Sequence, residues 1–105
     1  MSFKILEKLI NMHDGYRRVF TLEHTQVLLI QEAGERYLID AHCPHKHWPL
    51  LEAPVDDKVI TCPYHGASFS LATGEATTSC VIDCKPLTKY PLAYEGIYVG
   101  VDLPQ

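Results

Sequence analysis

No apolar run in this sequence approaches the ~20 residues that cross a bilayer, so no membrane-spanning helix and no membrane partner are expected. Its start, Met1-Ser2-Phe3-Lys4-Ile5-Leu6-Glu7-Lys8, breaks its apolar residues with charges. No secretory h-region is read there, and a cytoplasmic location is the expectation. Positive charge is scarce: Lys and Arg number 9 against 13 Asp and Glu, for a formal net charge of −4. That balance argues against nucleic acid or an anionic lipid surface as a partner. Long helical periodicity is missing too, since no apolar stripe of 3.6-residue spacing exceeds about ten residues, and Lys4–Met12 is the best helical segment. Repeats, low-complexity tracts and linkers are absent. The 105 residues therefore read as one domain, 1–105, with a modest core.

What is present alternates in the manner of β structure. Phe3-Lys4-Ile5-Leu6 reads as an edge strand, followed by turn chemistry over Asn11–Gly15, where Asp14-Gly15 supplies a position for positive φ. Tyr16–Leu22 and Thr25–Gln31 are rich in β-branched and aromatic residues and flank the short break Glu23-His24, which predicts a hairpin. Arg36–Asp40 is the next strand and leads straight to Cys43. Pro49–Asp57 is punctuated by proline and ends in acidic turn residues. Lys58–Thr61 then delivers Cys62, Ser68–Leu71 follows, and Ala72-Thr73-Gly74-Glu75 reads as a hairpin turn. Two closing strands, Leu87–Tyr94 and Ile97–Val101, join at Glu95-Gly96. Short strands at this spacing predict an all-β sandwich or barrel. His13 and His24 fall in or near turns and are read as solvated.

The four cysteines are not read as a disulfide framework, because a reducing compartment with histidines nearby favours metal or catalysis. If their segment is extended, Cys80 and Cys84 lie roughly 13 Å apart at ~3.3 Å per residue. A disulfide tolerates about 4.4–6.8 Å, so they are read as two small thiols.

Cys43-Pro44-His45-Lys46-His47 and Cys62-Pro63-Tyr64-His65-Gly66 carry the chemistry. Each holds a cysteine before a proline, with a histidine two or three residues on, and Gly66 lets the chain turn after His65. One thiolate and one imidazole from each loop make a four-ligand set. Zinc accepts Cys2His2, although a zinc finger usually takes its cysteines from one element and its histidines from another. A mononuclear catalytic metal calls for a nearby base, and neither loop holds a carboxylate. A two-iron, two-sulfide cluster, with two cysteines on one iron and two histidines on the other, needs no further residue.

The pattern Cys43-x-His45 with Cys62-x-x-His65-Gly66 resembles the binding motif of Rieske iron–sulfur proteins. The likeness extends to Phe69, Thr73-Gly74-Glu75, Tyr90-Pro91-Leu92 and Gly96-Ile97-Tyr98-Val99. The resemblance implies an antiparallel β-sandwich with a small cluster-binding subdomain of two loops, at about 41–71. It also implies one [2Fe-2S] cluster held by Cys43, His45, Cys62 and His65. By size the chain is similar to the ferredoxins of bacterial ring-hydroxylating dioxygenase systems. That likeness implies no catalysis by the chain alone. It implies a monomeric one-electron carrier between a flavoprotein reductase and a terminal oxygenase, docking near His45, His65, Trp48 and Tyr64. Two other readings are the small subunit of a nitrite-reductase-like complex, which often lacks the full ligand set, and a zinc-stabilised interaction module. A complete oxygenase needs a second domain, for which 105 residues leave no room.

Departures from the family sharpen the expectation. Respiratory-type relatives clamp their loops with a disulfide, and the matching positions here are Trp48 and Tyr64. The same relatives donate hydrogen bonds to the cluster sulfurs from a Ser and a Tyr, where this chain has Ala67 and Phe69. Such bonds favour the reduced state, so their loss predicts a potential in the lower part of the roughly −150 to +300 mV Rieske range. With imidazole ligands, the potential is expected to be flat near neutrality and to fall at alkaline pH. His42 reads as a packing or hydrogen-bonding residue, and His47 as an exposed residue at the loop tip.

Overall fold

The computed structural model describes residues 2–22, 25–43, 48–63, 67–77 and 86–103. Its strands are β1 (Ser2–Lys8), β2 (Arg17–Leu22), β3 (Thr25–Glu32), β4 (Glu35–Asp40), β5 (Val55–Asp56), β6 (Val59–Thr61), β7 (Ser68–Ser70), β8 (Lys89–Tyr90), β9 (Leu92–Glu95) and β10 (Tyr98–Leu103). They form antiparallel sheets in the orders β1-β10-β9, β2-β3-β4-β8 and β5-β6-β7.

The sheet holding β3 is the middle layer, and its sequence explains why. Successive side chains of a strand point to opposite faces, yet Val27 through Gln31 are all buried. Leu28 and Ile30 pack with Ile39, Ile60, Phe69, Cys43 and Cys62 on one side. Val27 and Leu29 pack with Leu6, Leu38, Val99 and Val101 on the other. An apolar run covered on both faces suits a strand sandwiched between two layers. The expected antiparallel sandwich is thus present, and β5-β6-β7 is laid on its far face.

Three expectations are corrected. Lys4–Met12 is not helical: it is β1, paired with β10 through a register shift between Ile5 and Glu7, then a single 3-10 turn at Leu9–Asn11. Pairing with β10 satisfies backbone groups that a lone short helix would leave to water. Leu87–Tyr94 is not one strand. It breaks at Pro91, which has no N–H to donate to a ladder. Before the break Tyr90 pairs with Leu38, and after it Leu92 pairs with Val101, in a different sheet. Val55 and Asp56 form a strand, and the turn falls at Asp57 and Lys58, whose φ values of 50° and 64° give a two-residue hairpin link. Other readings hold: β1 is an edge strand, and Leu22 faces Thr25 across the β2–β3 connection; the last turn, read at Glu95-Gly96, falls at Gly96-Ile97 between Glu95 and Tyr98. The Ala72–Glu75 turn returns the chain so that Ala76 bridges Phe69.

Candidate metal centre

Strand β4 runs into the first loop and β6 into the second, and both loops are closed by the same device. The Cys43 N–H donates to the Trp48 carbonyl at 2.8 Å, and the Cys62 N–H donates to the Ala67 carbonyl at 2.8 Å. In each case the acceptor stands five residues after the cysteine. Around the first closure, Leu50 N–H donates to the Ala41 carbonyl at 2.8 Å and His42 bridges Pro49. Around the second, Thr61 pairs with Ser68, and their hydroxyls meet at 2.8 Å. Two separate stretches of chain thus present a cysteine at the mouth of a four-residue tip.

Both cysteines have no solvent exposure and belong to one apolar cluster with Leu50, Ala53, Ile60, Phe69 and Leu71. Ala67 packs against that cluster. His45, His47 and His65, with Pro44, Lys46, Tyr64 and Gly66, lie outside the described residues, as do His24, Cys80 and Cys84. Among the described residues no three His, Cys, Asp or Glu side chains gather as a metal site. What is described fits an iron–sulfur group by the chemistry of its donors. Thiolates are its protein ligands, and an apolar shell that excludes water is what tunes its potential.

The strand that delivers Cys43 is braced. Tyr90 donates from its hydroxyl to Asp40 Oδ1 at 2.7 Å, and Asp40 N–H donates to the Thr88 carbonyl at 3.0 Å. Burial first, then the hydrogen bond and the negative charge of Asp40, push Tyr90 up to about 12. His42 is half-buried at the base of the first loop, in keeping with a packing role. Next to the tips, Trp48 is 43% exposed. Pro49, Leu51, Glu52 and Pro63 line a shallow groove that spans both loops.

One residue near the site carries no sequence signal. Arg17 Nη1 on β2 donates to the carbonyls of Leu51, at 3.1 Å, and Ala53, and its Nη2 lies 3.8 Å from Glu32 Oε1. Its carbonyl partners are 34 and 36 residues away and can be anything with a backbone, so no motif marks it.

Comparison with known proteins adds the following. The sequence model of the Rieske [2Fe-2S] domain matches residues 4–91. The chain is 39% identical over 80 residues to the 3-phenylpropionate/cinnamic acid dioxygenase ferredoxin subunit of Shigella boydii serotype 4 (strain Sb227), covering 75% of this chain and 74% of that one. In structure it is similar to the ferredoxin of Sphingomonas yanoikuyae B1, with TM-score 0.82 and 27% identity over 98% of this chain and 100% of that one. It is also similar in fold to a chain in the complex of reduced oxygenase and oxidised ferredoxin in carbazole 1,9a-dioxygenase. There the TM-score is 0.79 and the identity 24%, over 94% of this chain and 100% of that one.

Proposed function

Because this chain belongs to the Rieske [2Fe-2S] family and is a ferredoxin of the dioxygenase type, we propose that Cys43 and Cys62 hold one iron of its single cluster and His45 and His65 the other. Such a ferredoxin carries electrons and is not itself catalytic. When bound, the cluster supplies one electron at a time to a partner. The observation that carries the ligand reading is the matched closure of the two loops, each ending its incoming arm in a buried cysteine. The side chains around those cysteines keep water away from them.

The electron path we propose runs from a flavoprotein reductase, through this chain, to a terminal oxygenase. Docking would use the loop tips, near His45, His65, Trp48 and Tyr64, with a small interface of the kind that redox encounters use. The solved complex of a carbazole dioxygenase ferredoxin with its oxygenase supports an oxygenase as the acceptor. The exposed ring of Trp48 and the apolar groove beside it support docking at this end. We further propose that residues 1–105 act as a single domain and a monomer in the cytoplasm, with the cluster held by a subdomain at about 41–71. Among the described residues no helix is long and apolar enough to cross a membrane.

Substitution tests the ligand set. His45→Ala and His65→Ala are expected to abolish the visible absorption of the cluster, and His47→Gly is expected to keep it. Bleaching by His47→Gly, or a normal spectrum in His45→Ala, would overturn the assignment.

A further inference from the structure

The first loop is closed by its own backbone, but the segment that follows it, residues 50–54, belongs to no strand. Two of its residues, Leu50 and Ala53, are fully buried in the cluster that contains Cys43 and Cys62. Within the segment the Ala53 N–H donates to the Leu50 carbonyl at 3.0 Å, making a tight turn in which the carbonyls of Leu51 and Ala53 accept from outside the segment. Arg17 donates to both from one guanidinium nitrogen, from a strand in the middle sheet. Its side chain is 19% exposed, and Glu32 steadies its other nitrogen.

We propose that Arg17 is a positioning residue for the first loop, tying the 50–54 turn to β2 so that Leu50 and Ala53 stay seated beside the two cysteines. Charge-assisted hydrogen bonds from a largely buried donor are among the stronger single contacts in a small domain. Without them, among the described residues, the backbone bonds that hold the turn are its own Ala53-to-Leu50 bond, the Leu50 bond to Ala41 at its start, and the bond from Thr61 N–H to the Pro54 carbonyl at its end. The Leu50 N–H, bonded to the Ala41 carbonyl, is also the next backbone bond outward from the Cys43–Trp48 bond that closes the first loop. Loosening the turn therefore loosens the bond from Cys43 to Trp48. The consequence for the cluster rests on the reading of Cys43 as a ligand, whereas the mechanical role of Arg17 does not. Lys58 makes a comparable cross-layer contact, 3.2 Å to Glu35 Oε2, but both partners are about half exposed. An exposed pair of that kind contributes little.

Amide hydrogen exchange on the cluster-loaded protein tests the proposal. In Arg17→Met the amides of Cys43 and Leu50 should exchange about tenfold faster or more, while amides within β3 and β4 keep their rates. Arg17→Lys should fall between the two, and Lys58→Met should match the wild type. Iron loss to a chelator should rank the four proteins in the same order. If Arg17→Met does not accumulate folded, Arg17→Gln carries the same comparison. Equal acceleration in β3 and β4 would make Arg17 a general stabiliser and overturn the proposal, as would unchanged rates at Cys43 and Leu50. A failure of the histidine assignment would appear in the visible spectra of the histidine variants and leave the exchange result standing.

Discussion

At the residue scale, the potential of this ferredoxin is predicted to turn on two side chains without hydroxyls. Phe69 is buried in the cluster of apolar residues that holds Cys43 and Cys62, and Ala67 packs against it. Ser68 stands between them on β7, but its neighbours in the strand point to the opposite face, and its hydroxyl meets that of Thr61. Neither the Ala67 nor the Phe69 side chain has a group that can donate to a sulfur. The wild-type potential is therefore predicted in the lower half of the roughly −150 to +300 mV Rieske range. Ala67→Ser and Phe69→Tyr should each raise it. A hydrogen bond of about 0.5–1.5 kcal/mol corresponds to roughly 20–65 mV, given about 59 mV per tenfold change for one electron. A redox titration that finds the wild type in the upper half of the range, or no rise in either variant, would contradict this.

At the element scale, β10 lies so close to β1 that it requires Gly100. A Cβ there would stand 2.1 Å from the Lys4 carbonyl oxygen, a backbone atom that cannot move without breaking the ladder. Gly100→Ala is predicted to cost at least about 1–3 kcal/mol and to lower the thermal midpoint by roughly 4–8 °C per kcal/mol. A calorimetric midpoint equal to that of the wild type would contradict it. The same scale shows what sequence reading reaches. The hairpin of β2 and β3 was legible because its signals are local: β-branched runs around a two-residue break. The four proposed ligands were legible for the same reason, since each cysteine and its histidine sit within one loop. The break at Pro91 is also a local signal, since a proline cannot donate to a ladder, although Leu87–Tyr94 otherwise reads as one strand. The β1 segment was open to a helical reading because its partner, β10, lies at the other end of the chain. Arg17 and the carbonyl partners of the cysteine amides were not legible at all, because backbone acceptors leave no trace in residue identity.

At the scale of the whole molecule, apolar contacts join the three layers, and of three hydroxyl–carboxylate pairs one, Tyr16 with Glu7 of β1, crosses between sheets while the other two lie within the middle sheet. Tyr16 donates to Glu7, Tyr37 to Glu35 and Tyr90 to Asp40. Burial, followed by these carboxylates, pushes each tyrosine up to about 12. The sign follows from linkage. In the unfolded chain a tyrosine loses its proton near ~10, so between about 10 and 12 the folded state binds more protons. Stability attributable to these groups is fully present below about pH 10 and is lost as pH rises toward 12. Urea midpoints are predicted to hold between pH 8 and 10 and to fall from there to pH 12. A midpoint that stays level to pH 12 would contradict this. On the acid side, hydrogen bonds from Asn11, the Lys8 amide and Tyr16 hold the Glu7 carboxyl below its ordinary value. Its contribution is present above that value and fades as pH falls through the lowered one.

The central claim is that two cysteines and two histidines, one of each from two loops closed alike, hold a single two-iron cluster. Electron paramagnetic resonance of the dithionite-reduced protein tests it most directly. The predicted result is a rhombic signal with an average g below the free-electron value and hyperfine coupling to two imidazole nitrogens. A higher average of the kind an all-cysteine cluster gives, or the silence of a zinc protein, would contradict it.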